Sequence, residues 1–276
     1  MAVINTNIPA QFAQDALAAN SKSMSSAMQQ LATGNRINAA KDDAAGLSIG
    51  QNMTSQVRGL NQAVRNATDG INLLQTADGA LVETSNMLQR MRELAIQASN
   101  STNSGSQRSY LNNEFKSLQD EVTRIGNNTS WNNSNLFGPS AATAVSLVFQ
   151  AGAGAGQTIS VTISGMNATS LSVDASVATI TGFAGAQSAI SSIDAAMEMV
   201  NSARSAMGAT MNQLSYSADN MTNISTNMAA SRSAIMDTDY ATASSQLSRS
   251  QIIQQAATAM LAQANQQPKS VLELLK

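Results

Sequence analysis

Pro9, Pro139 and Pro268 are the only prolines in the 276 residues, and they stand near the start, at the middle and near the end. Proline interrupts a helix because it has no N–H to donate and its ring clashes with the preceding turn. The two stretches between these prolines escape that constraint, so each can be helical for most of its length. Aromatic residues make up only 3% of the chain, and the 43% hydrophobic fraction leans on alanine and on 15 methionines. Such residues suit narrow seams between long helices better than a thick globular core.

The seams are legible. Leu60, Val64, Ala67, Ile71, Leu74, Leu81 and Leu88 recur at intervals of three, four and seven and then drift onto Met91 and Leu94. That is a heptad pattern, and a helix over 57–100 would extend roughly 65 Å, so it must lie along another long helix. Ile190, Ile193, Met197, Val200, Met207, Met211, Leu214 and Met221 offer the partner, with an expected shift to Ile224 and Met228. Between them Tyr110 to Ile125 reads as a shorter amphipathic helix, with Asp120 and Arg124 spaced to pair. Gly59, Gly70 and Gly79 interrupt the first seam and are expected to mark close helix approach.

After Ile125 the charges stop until Asp174 and the period changes to two: Val145, Leu147, Phe149, then Ile159, Val161, Ile163, then Leu171 and Val173. These are expected strands, with Ala151 to Gln157 as a hairpin connection. The expected fold class is therefore mainly α, with long antiparallel helices from both chain ends and a small β-hairpin region in the middle.

The two ends carry thin apolar stripes: Ile8, Phe12, Leu17, Met24, Met28 and Leu31 on one, Leu247, Ile253, Ala257, Leu261 and Ala264 on the other. Alone they bury too little to offset the entropy of ordering, so they are expected to be largely disordered in the monomer and to fold when partners cover them.

With no cysteine and no histidine, disulfides, thiol nucleophiles, imidazole bases and the usual zinc sites are excluded. A net charge of −2 without a basic block gives no footprint for nucleic acid. No apolar run approaches the roughly 18 residues of a membrane helix, and residues 1–10 do not read as a cleavable secretory signal. Asp42 and Asp43 are adjacent carboxylates that cannot share a metal from one helix face, and capping of the following helix explains them. The glycines at 152, 154 and 156 lack the lysine and hydroxyl of a phosphate loop. No cofactor and no enzymatic activity are expected.

Three stretches are more specific: Met1-Ala2-Val3-Ile4-Asn5-Thr6-Asn7, Gly34-Asn35-Arg36-Ile37-Asn38-Ala39-Ala40-Lys41-Asp42-Asp43-Ala44-Ala45-Gly46-Leu47, and Leu261-Ala262-Gln263-Ala264-Asn265-Gln266-Gln267-Pro268. These resemble bacterial flagellin, as do Arg90 to Gln97 and Asp239-Tyr240-Ala241-Thr242. The resemblance implies an inner domain D0 from 1–56 plus 233–276, a bundle D1 from 57–139 plus 183–232, and 140–182 as a β-rich remnant of the variable region. It implies a secreted, extracellular helical homopolymer for swimming motility. The partners it implies are an export chaperone, a filament cap and hook-filament junction proteins. Arg36, Asp42 and Asp43 join the stripe residues as implied assembly positions. Arg90, Leu94 and Glu114 match the face by which the innate receptor TLR5 detects enteric flagellins. Two other readings compete: a hook-filament junction protein of the same superfamily, and a secreted enzyme or adhesin on a flagellin-like scaffold.

Overall fold

The computed structural model describes residues 6–138 and 144–273, with side chains as far as 266; Pro139 and the first residues of the expected β-rich segment lie outside the described residues. The order is α1 (Ile8–Thr33), α2 (Ala44–Ala98), α3 (Gly105–Asn128), β1 (Ser130–Trp131), β2 (Ser134–Asn135), β3 (Val145–Gln150), β4 (Thr158–Ile163), α4 (Phe183–Met236) and α5 (Tyr240–Glu273). The mainly α architecture read from the sequence is the one observed. The chain forms two units, one from residues 57–225 and one from 1–56 with 226–276. Helices α2 and α4 supply residues to both.

In the 57–225 unit, α2 and α4 run antiparallel. Asp78 accepts from Arg204 at 2.8 Å, Asp194 accepts from Arg92 at 2.7 Å, and the Ser225 hydroxyl donates to Asn61 at 2.8 Å. Leu74, Leu81, Leu88, Met91 and Leu94 on α2 and Ile193, Val200, Met207 and Leu214 on α4 are sealed from solvent. The alternate seam positions are small or polar, Ala63, Ala67, Ala77 and Thr84, which lets the helices approach closely. The expected shift to Ile224 does not occur: Ile224 is exposed and Ser225 takes the seam position, because its hydroxyl finds Asn61 across the interface.

Helix α3 begins with a capping box, in which Ser104 and Gln107 satisfy each other's backbone N–H. It buries Phe115 and Val122. Its buried polar residues serve the returning chain: the Gln119 amide donates to the carbonyls of Val173 and Ala178, and Asn112 accepts from Ile180 N–H. Leu171 and Val173 are therefore buried, as their alternation suggests, but in a turn-rich segment rather than a strand. Ser172 between them has φ 56, a left-handed value that ends any ladder. Arg124 pairs with Glu121 at 2.8 Å rather than with Asp120. The longer glutamate side chain closes that gap one residue nearer.

β3 and β4 pair antiparallel from Val145↔Ile163 to Gln150↔Thr158. A smaller hairpin that the sequence reading lacks joins β1 to β2 through Asn132 and Asn133, both left-handed as a primed turn requires. The larger hairpin leans on α2. A Cβ at Gly70 would come within 2.8 Å of the Phe149 ring, and one at Gly59 within 3.1 Å of Ala153. Those glycines admit the hairpin, not a helix, and Gly79 faces open space.

Candidate functional site

The other unit is built on the pairing of α1 with α5. Asn7 opens α1 with its side-chain oxygen accepting from Ala10 N–H, and Pro9 sits in the first turn, where a missing N–H costs nothing. Gly34 closes the helix at φ 73, which glycine adopts without strain, and its N–H donates to the Gln30 carbonyl. A side chain there is also barred by Tyr240, whose hydroxyl would lie 3.0 Å from the added Cβ.

Beyond Gly34 the connecting strands are tied together. Arg36 donates through its N–H to Met236 and through its guanidinium to Ile235, each at 2.7 Å. Asn35 bridges Asp237, and Thr238 N–H donates to the Gly34 carbonyl. The two adjacent carboxylates divide their labour. Asp42 holds the turn before α2 by accepting from Asn38 and Ala39, while Asp43 caps α2 by accepting from Gly46 at 2.8 Å. A Cβ at Gly50 would collide with Met236, so α2 and α4 touch closely here too.

Two side-chain rungs set the α1·α5 register. The Asn20 amide donates to the Ser250 carbonyl at 2.7 Å, and the Asn7 amide to the Ala264 carbonyl at 2.9 Å. The seam, which extends past the Asn20 rung, runs through Ala10, Ala13, Leu17, Asn20, Met24, Ala27 and Leu31 on α1, and through Ala243, Leu247, Ser250, Gln254, Ala257, Leu261 and Ala264 on α5; all are buried or half-buried. Both series alternate steps of three and four, so this is a coiled-coil seam made of small and polar residues.

Such a seam covers little, and large apolar groups remain outside it. Phe12 is 71% exposed, Ile252 66% and Met260 66%, with Ile8, Met28 and Ile253 also open to solvent. Of the stripe residues expected to drive assembly, Leu17, Met24, Leu31, Leu247, Ala257, Leu261 and Ala264 face the partner helix within the chain. Ile8, Phe12, Met28 and Ile253 do not. Ile252 and Met260 are missed by the sequence stripe, although they fall outside the α5 heptad and could be found by subtracting it. Among the described residues, the ends that the sequence predicts to be disordered are helical over Ile8–Thr33 and Tyr240–Glu273, because alanine, serine and asparagine let the backbones approach and the asparagines bond the backbone directly.

In the 57–225 unit, the Arg90 guanidinium donates to Glu114 at 2.9 Å and to Glu93 at 2.9 Å, all three half-exposed. Its pKa is raised by the hydrogen bond to Glu93 first and by Glu114 next. Leu94 is fully buried in the α2 seam, so the structure joins Arg90 with Glu114 and leaves Leu94 behind them. Among the described residues no cluster of three acidic side chains could hold a metal ion, and no helix is long and apolar enough to cross a membrane.

A chain that seals one bundle with long seams and leaves large apolar side chains on a thin terminal helix pair has the architecture of a polymerising structural subunit. Residues 4–142 match the bacterial flagellin N-terminal helical region, and residues 190–275 match the bacterial flagellin C-terminal helical region. The chain belongs to the flagellin family. Over 99% of its length it is 42% identical to the whole of a flagellin from Halalkalibacterium halodurans. It is 38% identical to a flagellin from Bacillus subtilis, with 99% of each covered. The crystal structure of Bacillus cereus flagellin aligns with 61% of this chain and 94% of its own, at 31% identity and a TM-score of 0.50. The family is structural rather than enzymatic, and its members polymerise into the extracellular filament of the bacterial flagellum.

Proposed function

We propose that this chain builds the filament through its terminal helices, and that residues 1–56 with 233–276 act as the inner D0 region while 57–139 with 183–232 act as D1, carrying 140–182 as a reduced outer segment. The observation that supports this most directly is the set of exposed apolar residues on α1·α5, led by Phe12, Ile252 and Met260. Lateral covering by neighbouring copies removes that surface from water, and a head-to-tail contact that does not close produces a helical tube. Arg36, Asp42 and Asp43 serve assembly indirectly, by fixing where α1 and α2 depart from each other.

The same reading assigns the chain an uncleaved export route, a chaperone that holds the C-terminal arm, a cap at the growing end and junction proteins at the base. A thin helix pair without cysteine suits passage through a narrow channel. Arg90 with Glu114 presents the half-exposed charged face expected to meet TLR5, and Leu94 supports that face from inside. Arg90→Ala is expected to abolish receptor signalling.

Deleting residues 1–30 or 245–276 tests the assembly reading. The 57–225 unit keeps its helix content and cooperative unfolding, whereas seeded polymerisation followed by electron microscopy yields no filaments. Normal filaments from either truncation would remove the terminal helices from the mechanism.

A further inference from the structure

The described methionines range from sealed to open, with Met199 on α4 40% exposed and others half-buried. Met91 and Met207 are sealed in the α2·α4 bundle, and Met166 and Met221 are nearly so. Met260, at 66% exposure, and Met28, at 47%, stand open on the α1·α5 pair. The chain has no cysteine, so no thiol competes for a two-electron oxidant. Thioether oxidation depends on access, and it turns a flexible apolar side chain into a polar one with a strong acceptor oxygen.

We propose that Met28 and Met260 are oxidation sites that control whether a free subunit can polymerise, with a peroxide as the oxidant. The inference rests on the reading of α1·α5 as the assembly surface. In the step itself the methionine sulfur attacks one oxygen of hydrogen peroxide. The O–O bond breaks, an S–O bond forms, the proton moves to the departing oxygen and water leaves. Sulfur loses two electrons and peroxide gains them. The new sulfoxide oxygen would have to enter an apolar interface without a donor waiting for it, which a buried acceptor does only at a cost. The subunit is therefore vulnerable before assembly, while the filament shields the same two sulfurs. Because the sealed methionines Met91 and Met207 stay reduced, the bundle core keeps its packing, and reduction of the sulfoxides restores assembly.

The test treats full-length monomer with hydrogen peroxide, maps sulfoxides by peptide mass spectrometry and measures seeded elongation. Met260 and Met28 oxidise before Met91 and Met207, far-ultraviolet circular dichroism is unchanged, and elongation slows at least about tenfold, the factor that about 1.4 kcal/mol gives. Methionine sulfoxide reductase with a dithiol reverses the loss. The double variant Met28→Leu with Met260→Leu elongates after peroxide at the rate of its own untreated control, whatever that rate is against the parent, and preformed filaments resist modification at both sites. Undiminished elongation of fully oxidised monomer overturns the proposal while leaving the assembly reading intact, as does equal oxidation of monomer and filament. Failure of untreated protein to elongate on seeds counts against the assembly reading itself.

Discussion

The Asn7 side-chain amide donates to the Ala264 carbonyl at 2.9 Å, and Ala264 lies four residues before Pro268 in the same helix. A helical carbonyl normally accepts from the N–H four residues on, and proline has none to give. Asn7 supplies the donor that Pro268 withholds, while its own oxygen caps α1 through Ala10. One residue thus caps the start of α1 and satisfies a carbonyl inside α5, joining opposite ends of the sequence.

Replacing Asn7 separates the two duties. Asn7→Asp keeps the capping oxygen and removes the donor; Asn7→Ala removes both. The alanine variant should lose about 1–2 kcal/mol from the helix pair, the scale of a lost cap plus an unmet acceptor. Amide hydrogen exchange is the measurement: faster exchange around 258–266 in both variants, and around 8–12 mainly in Asn7→Ala. Equal protection in all three proteins would show that Ala264 does not depend on Asn7.

The seam also explains what could be read from sequence. The long seams over Leu60 to Leu88 and Ile193 to Leu214 were legible because leucine, isoleucine and methionine occupy alternating positions. On α1 the positions held by Ala10, Asn20 and Ala27 are small or polar, so the apolar stripe drawn through Phe12 and Met28 crossed off the true seam. Ser250 conceals the α5 heptad in the same way. The strand pattern succeeded where one face meets α2, at Leu147 and Phe149, and failed at Leu171 and Val173, where burial comes from a turn held by Gln119. Local periodicity cannot reveal a segment whose hydrogen bonds end on a distant side chain.

Asn20 is buried in the α1·α5 seam, and a polar residue at one heptad core position fixes register at a cost in stability. Asn20→Leu should therefore raise the resistance of the helix pair to urea by about 1 kcal/mol while loosening its alignment. Filament yield should fall even as helix content holds. If the leucine variant assembles as well as the parent, register is being set elsewhere, with the Asn7 rung as the next place to look.

The glycines give opposite expectations. A Cβ at Gly126 would sit 2.8 Å from the backbone nitrogen of Asn167, so Gly126→Ala must push the returning segment away from α3. A loss of about 2–3 kcal/mol is expected, as for other overpacked sites. Gly79 is mid-helix with no atom within 4 Å of an added Cβ, and Gly79→Ala should stabilise the monomer by about 0.5–1 kcal/mol through helix propensity. Urea unfolding of both variants decides the matter, and matching shifts would contradict the packing described.

Acid should act late and through carboxylates. The Asp239 carboxyl is held below its ordinary value of 3.8, first by the Thr242 hydroxyl and then by the Ala241 and Thr242 N–H groups, as it caps α5. Glu121 is held below its ordinary 4.5 chiefly by its hydrogen bond to Arg124. A depressed carboxyl stabilises the fold fully above its unfolded pKa and loses that contribution as pH falls through the lower folded value. With no histidine to titrate between pH 5 and 8, helix content should be flat from neutrality to about pH 5 and should fall only below about pH 4. Asp239→Asn should weaken the start of α5 at neutral pH and flatten part of the acid decline. Circular dichroism at 222 nm across pH 2–8 for parent and variant is the check, and a transition centred near pH 6 would require a titrating group outside these carboxylates.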